Sequence, residues 1–134
     1  LTKFGLIGWL GDQIDTIINT DKMIPTLVFM LLIFFFIHYF FASATALIST
    51  LYATFLLILI KVGIPPLVAA LSVGFSGILS SGLTHFGIAS APIFFGAGYL
   101  STKTWWYLGF WIGVINLIIW SSVCAVWWKA LGWY

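Results

Sequence analysis

The sequence contains no glutamate and no arginine. Its carboxylates are Asp12, Asp15 and Asp21, and its fixed cations are Lys3, Lys22, Lys61, Lys103 and Lys129. A soluble domain carries about a quarter charged residues. Here the charged fraction is 6% against 63% hydrophobic, and the mean hydropathy is +1.18. Too little polar surface remains to cover a water-facing globule, so the chain reads as an integral membrane protein. The same poverty excludes chemistry. Hydrolases and transferases need a nucleophile with a base, or a metal site. All three aspartates lie near the N-terminus, His38 and His85 stand far apart, and no phosphate-binding glycine motif is present. No enzyme activity and no metal site are expected. A net charge of +2 with scattered lysines offers nothing to nucleic acid. The one cysteine, Cys124, cannot form an intrachain disulfide and sits in an apolar run, as a packing residue does. Residues 1–20 hold polar side chains where a signal peptide would have an apolar core, and the chain starts at Leu1. A piece of something longer is expected, with no internal repeat of its own.

What is present is organised by breaks. Residues 1–21 read as an amphipathic connecting helix, with Ile7, Leu10, Ile14, Ile17 and Ile18 on one stripe. From Met23 to Ile60 no charged residue occurs. As one helix, these roughly 38 residues would run about 57 Å at ~1.5 Å per residue. The hydrocarbon core is only ~30 Å thick, so the chain must turn. The place to turn is Ala42-Ser43-Ala44-Thr45-Ala46, small and hydroxyl-bearing between bulky neighbours. Residues 22–61 then form either a re-entrant hairpin or two tilted spans, with arms expected over Met23 to Phe41 and Ala46 to Ile60.

Residues 62–102 read as a discontinuous helix. Pro66 to Leu79 makes its first half. Residues 82–92 mix glycines, hydroxyls, His85 and Pro92 without a charge, too apolar for a surface loop and too broken for a helix. Irregular backbone at membrane depth is tolerated where protein or a cavity satisfies it, so an unwound centre is expected, with Ile93 to Leu100 as the second half. Residues 103–134 hold a final span over Trp105 to Leu131. Trp105, Trp106 and Tyr107 mark one interface, and Trp127, Trp128, Trp133 and Tyr134 the other. Gly109 and Gly113 have the spacing that lets helices approach closely.

Two such breaks suit a carrier. Broken helices expose N–H groups that attract carboxylates and C=O groups that coordinate cations. The hydroxyls of Ser43 and Thr45 add donors without a fixed charge. His38 has either a hydrogen bond to a neighbouring helix or a contact with the anion. His85 either satisfies freed backbone or touches the anion. The reading from a different class is a small structural or assembly subunit with no substrate, in which small residues only bring helices together.

The stretch from His38 through Ala42-Ser43-Ala44-Thr45-Ala46 resembles the second Ser-Asn-Thr-type hairpin motif of the divalent anion:sodium symporter family. Gly82-Leu83-Thr84-His85-Phe86-Gly87, continuing through Pro92 to Gly96-Ala97-Gly98-Tyr99, is similar to that family's later unwound helix, most of all in its carboxylate-exchanger branch. The resemblance implies an all-α, inverted-repeat, elevator-type carrier of di- or tricarboxylates of the succinate, malate, 2-oxoglutarate or citrate kind. This chain would supply the C-terminal half of the site. Implied partners are the bilayer, the missing N-terminal part, and a second copy held through that part. The implied location is the bacterial inner membrane. Substrate candidates are Ser43, Ala44, Thr45, Thr84, His85, Ser90, Ala91 and Pro92. Cation candidates under sodium coupling are Thr45, Gly87, Ile88 and Ala89. Ala44 stands where the motif has Asn, which removes a side-chain amide. Exchange is therefore expected ahead of sodium-coupled symport, with Na+ as the coupling ion only in the second case.

Overall fold

The computed structural model describes residues 23–133. The connecting helix expected over 1–21, and Tyr134, lie outside the described residues. The described part is helical, without strands. Helix α1 spans Met23–Phe36 and tightens into a 3₁₀ turn over Ile37–Phe40. Helix α2 spans Ala44–Lys61, α3 spans Pro66–Leu79 with a 3₁₀ turn over Ser80–Gly82, α4 spans Ala91–Gly96, and α5 spans Thr102–Ala130.

The first break comes earlier than the small-residue run suggested. Ser43 is extended (φ −163°, ψ 158°), and its hydroxyl accepts the Ala46 N–H at 3.1 Å. It is therefore the N-cap of α2, and Ala44 and Thr45 already belong to the first helical turn. The connection is Phe41-Ala42-Ser43. Capping lengthens the second arm to 18 residues, or about 27 Å. The arms run antiparallel. The Phe34 and Phe55 rings meet at 4.9 Å, and Met23 reaches Gly63 at the far end. The chain thus enters and leaves this hairpin at one end.

Helix α3 packs against both arms through a face of small residues. Ala69, Ser72, Val73, Ser76 and Gly77 are buried there. Ser76 donates to the Leu31 carbonyl at 3.3 Å, and Tyr52 donates to the Ala70 carbonyl at 3.1 Å. A Cβ on Gly77 would stand 2.8 Å from Ile48. In lipid, close approach and shared hydrogen bonds hold helices together where the hydrophobic effect does not.

Helix α4 ends at Gly96 rather than running to Leu100. Gly98 adopts a positive φ of 79°, and its N–H donates to the Phe95 carbonyl at 3.0 Å, a left-handed stop that glycine permits. Helix α5 starts at Thr102 because the Ser101 hydroxyl accepts the Thr104 N–H at 3.2 Å. Its 29 residues span about 43 Å, enough for hydrocarbon plus both interfaces. Trp106 and Trp127 stand about 31 Å apart along it, close to the ~30 Å hydrocarbon thickness.

Gly109 and Gly113 seat α5 on the broken helix. A Cβ at Gly109 would lie 2.7 Å from the Gly82 carbonyl oxygen and 2.9 Å from that of Leu83. One at Gly113 would strike the Phe35 ring at 2.9 Å. Gly109 therefore admits α5 onto the Gly82 and Leu83 carbonyls at the start of the irregular segment, and Gly113 onto the Phe35 and Leu83 side chains.

Candidate functional site

The two breaks meet. The Ala44 N–H, first in α2, donates to the Gly87 carbonyl at 3.0 Å. The hairpin connection is thereby set against the irregular segment that separates α3 from α4. Of the first amides of α2, Ala44 is bound by Gly87 and Ala46 by the Ser43 hydroxyl. The Thr45 N–H and hydroxyl have no hydrogen-bond partner among the described residues, and Thr45 is exposed. An unpaired amide at a helix N-terminus beside a hydroxyl is a donor pair suited to an anion.

The facing segment is folded by short turns. The Gly87 N–H donates to the Thr84 carbonyl at 3.3 Å, and the Ala91 N–H to the Ile88 carbonyl at 3.1 Å. The Ser90 carbonyl accepts from Ile93 and Phe94 at 3.1 and 3.3 Å. Pro92 has no N–H to give, which leaves the Ala89 carbonyl exposed and unpartnered among the described residues. The junction thus has free donors on the α2 side and a free acceptor on the other.

The candidates divide into two faces. Thr45, Ile88, Ala89 and Pro92 are exposed; Ser43, Ala44 and Ser90 are half-buried. Gly87, Ala91 and Thr84 are buried, and Thr84 is fully enclosed. His85 does not satisfy freed backbone: its Nδ1 accepts the Trp106 indole N–H at 3.1 Å. Phe95 packs on the same imidazole, with centroids 4.5 Å apart. His38, read as bonding either a neighbouring helix or the anion, has no hydrogen-bond partner among the described residues. Trp106 enters the site region although its place at the end of α5 reads as an interface anchor. The sequence signal was the same for both roles.

A groove of about 870 Å³ lies elsewhere. Met23, Pro25, Leu31, Val68 and Trp128 line it, with no residue of either break. Size alone does not mark the site, because a mostly apolar wall offers a carboxylate few donors. Among the described residues no cluster of His, Cys, Asp or Glu could hold a metal ion.

Among the described residues three helices are long and apolar enough to cross a bilayer, and the chain between them is broken twice where polar backbone converges, as in an integral membrane protein. The whole chain, residues 1–134, matches the family described as the sodium:sulfate symporter transmembrane region, and it belongs to that family. The chain is 41% identical over 134 residues to a chloroplastic protein of Spinacia oleracea named dicarboxylate transporter 1, covering 98% of this chain and 24% of that protein. It is 39% identical over 132 residues to the putative malate transporter YflS of Bacillus subtilis, covering 98% and 28%. To dicarboxylate transporter 2.1 of Arabidopsis thaliana, also chloroplastic, it is 36% identical over 136 residues, covering 100% and 24%. The chain spans about a quarter of the length of these relatives. The family is one of transporters, not enzymes.

Proposed function

We propose that this chain is the C-terminal part of a di- or tricarboxylate carrier that works by alternating access, and that it supplies half of the substrate site. The observation that supports this most is the Ala44–Gly87 hydrogen bond, which joins the two breaks. A carboxylate docks on the Thr45 amide and hydroxyl, with Ser43 holding the start of α2 in place. Residues 87–92 line the facing wall. Neutral donors suit a carrier, because a substrate held by fixed positive charge would be released slowly. Residues 22–61 act as the re-entrant hairpin, 62–102 as the discontinuous helix and 103–134 as the final span. The inverted-repeat half lies in the remainder of the protein, through which two copies associate. Membership of the family and the names of the relatives support carboxylate as the substrate class.

Exchange is favoured over sodium-coupled symport because Ala44 brings a backbone amide and no side-chain amide. The relatives occupy both chloroplasts and bacteria, and we place this carrier in a bacterial inner membrane. The deciding experiment is counterflow by the full-length carrier in liposomes. Labelled succinate, malate, 2-oxoglutarate and citrate are offered with and without sodium. Uptake driven by internal dicarboxylate and indifferent to sodium is expected. Uptake that needs sodium replaces exchange with symport, and no uptake of any of the four refutes the carboxylate assignment.

A further inference from the structure

Among the described residues, the buried side-chain nitrogens and oxygens without a hydrogen-bond partner are His38 Nδ1, His38 Nε2 and Thr84 Oγ1. Both side chains are 0% exposed. They border the same turn. Gly87 donates its N–H to the Thr84 carbonyl, and a Cβ on Gly87 would stand 2.9 Å from His38 Nε2. That Cβ position is also crowded by the Ser81 carbonyl. The Gly87 carbonyl, in turn, holds the Ala44 N–H. The orphaned polar atoms therefore collect behind the hydrogen bond that joins the two breaks.

An imidazole is an expensive way to fill this space, since enclosed polar groups are costly unless they interact. The other residues buried on α1 and its 3₁₀ extension are Thr26, Met30, Leu31, Phe34 and Phe35, so the one ring nitrogen donor stands at the last turn before the break. We propose that His38 is a positioning residue for the substrate site. Its ring packs against the 84–87 turn beside Gly87 without a hydrogen bond, and by filling that space it keeps the Gly87 carbonyl where it accepts the Ala44 amide and so orients the first turn of α2 toward the anion. His38 acts through the turn and does not touch substrate. The inference rests on the carboxylate-site reading of the junction, but its geometry can be read without transport.

The test uses the full-length carrier in nanodiscs and liposomes, with His38→Leu, His38→Gln and His38→Asn. The Gln side chain reaches as far as Nε2 and so can fill the same space against Gly87, whereas Asn reaches only as far as Nδ1. Hydrogen–deuterium exchange at the Ala44 amide reads the junction directly. His38→Leu is expected to speed that exchange and raise the carboxylate KM, each by about tenfold or more, with Vmax within about threefold. His38→Gln is expected to restore both. Should the leucine variant not fold, the other pair decides: Gln keeps Ala44 protected and Asn does not. The proposal is overturned if Leu leaves Ala44 protection unchanged, or if Gln and Asn behave alike. If the wild-type carrier moves no carboxylate, the substrate assignment fails, while Ala44 exchange still decides the role of His38.

Discussion

Replacing Gly87 with alanine adds one methyl group at the most crowded point of the junction. The new Cβ would overlap the Ser81 carbonyl oxygen and lie 2.9 Å from both the Ser81 carbonyl carbon and His38 Nε2. Two of these three atoms are backbone, so no flexible side chain can swing away. The turn over residues 84–87 must move, and with it the carbonyl that accepts the Ala44 N–H at 3.0 Å. Overpacking of this kind costs about 1–3 kcal/mol, and the lost hydrogen bond about 1 kcal/mol more. A total near 2–4 kcal/mol falls on the conformation in which the breaks are joined. If substrate binds that conformation, KM rises about 30- to 700-fold at 1.4 kcal/mol per decade. The assay is counterflow of labelled malate by the full-length carrier, with Gly96→Ala as control. Gly96 has nothing within 4 Å of its would-be Cβ, so that change is expected to be neutral or slightly stabilising in α4. A Gly87→Ala carrier with KM within about threefold of wild type would refute the junction as the substrate site.

Four further changes have defined outcomes. Ser43→Ala removes the cap of α2 and should cost about 0.5–2 kcal/mol, seen as a lower thermal midpoint and a raised KM together. Gly109→Ala drives a methyl into the Gly82 and Leu83 carbonyls at 2.7 and 2.9 Å. It should lower the melting temperature of the carrier by an amount equivalent to about 1–3 kcal/mol, whereas Gly132→Ala, with nothing nearby but a φ of +69°, should cost only backbone strain of about 1 kcal/mol. Trp106→Phe keeps an aromatic ring against Tyr39 and His85 but deletes the indole N–H that His85 accepts. A loss of about 1 kcal/mol in stability is expected, with the imidazole NMR signals of His85 shifting as that hydrogen bond is lost.

How far the sequence could be read depended on the range of the interaction. A length mismatch with the bilayer demanded a break in residues 23–60, and small residues placed it within a few positions. The restart at Ala44 instead of Ala46 turned on Ser43 acting as a cap, a local choice that a run of small residues disguises. Breakers without charge marked the unwound segment, whereas the end of α4 depended on which of Gly96 and Gly98 took the left-handed conformation. The glycine pair on α5 showed close packing but not its partners, the Gly82 and Leu83 carbonyls for Gly109 and the Phe35 ring for Gly113. The meeting of Ala44 with Gly87, and of His85 with Trp106, is set by packing between distant segments. No local pattern encodes either meeting; the family resemblance pointed to the first and not to the second.

The central claim is that a carboxylate binds where Thr45 opens at the start of α2, opposite residues 87–92. It is tested most directly by substrate protection of a thiol at that point. Thr45→Cys is made in a Cys124→Ser background of the full-length carrier, with any cysteine elsewhere in the protein replaced, and modified with a water-soluble maleimide. Saturating malate is predicted to slow modification about tenfold or more, as a bound anion covers an exposed position. Equal rates with and without malate, in a variant that still binds malate, would contradict the account.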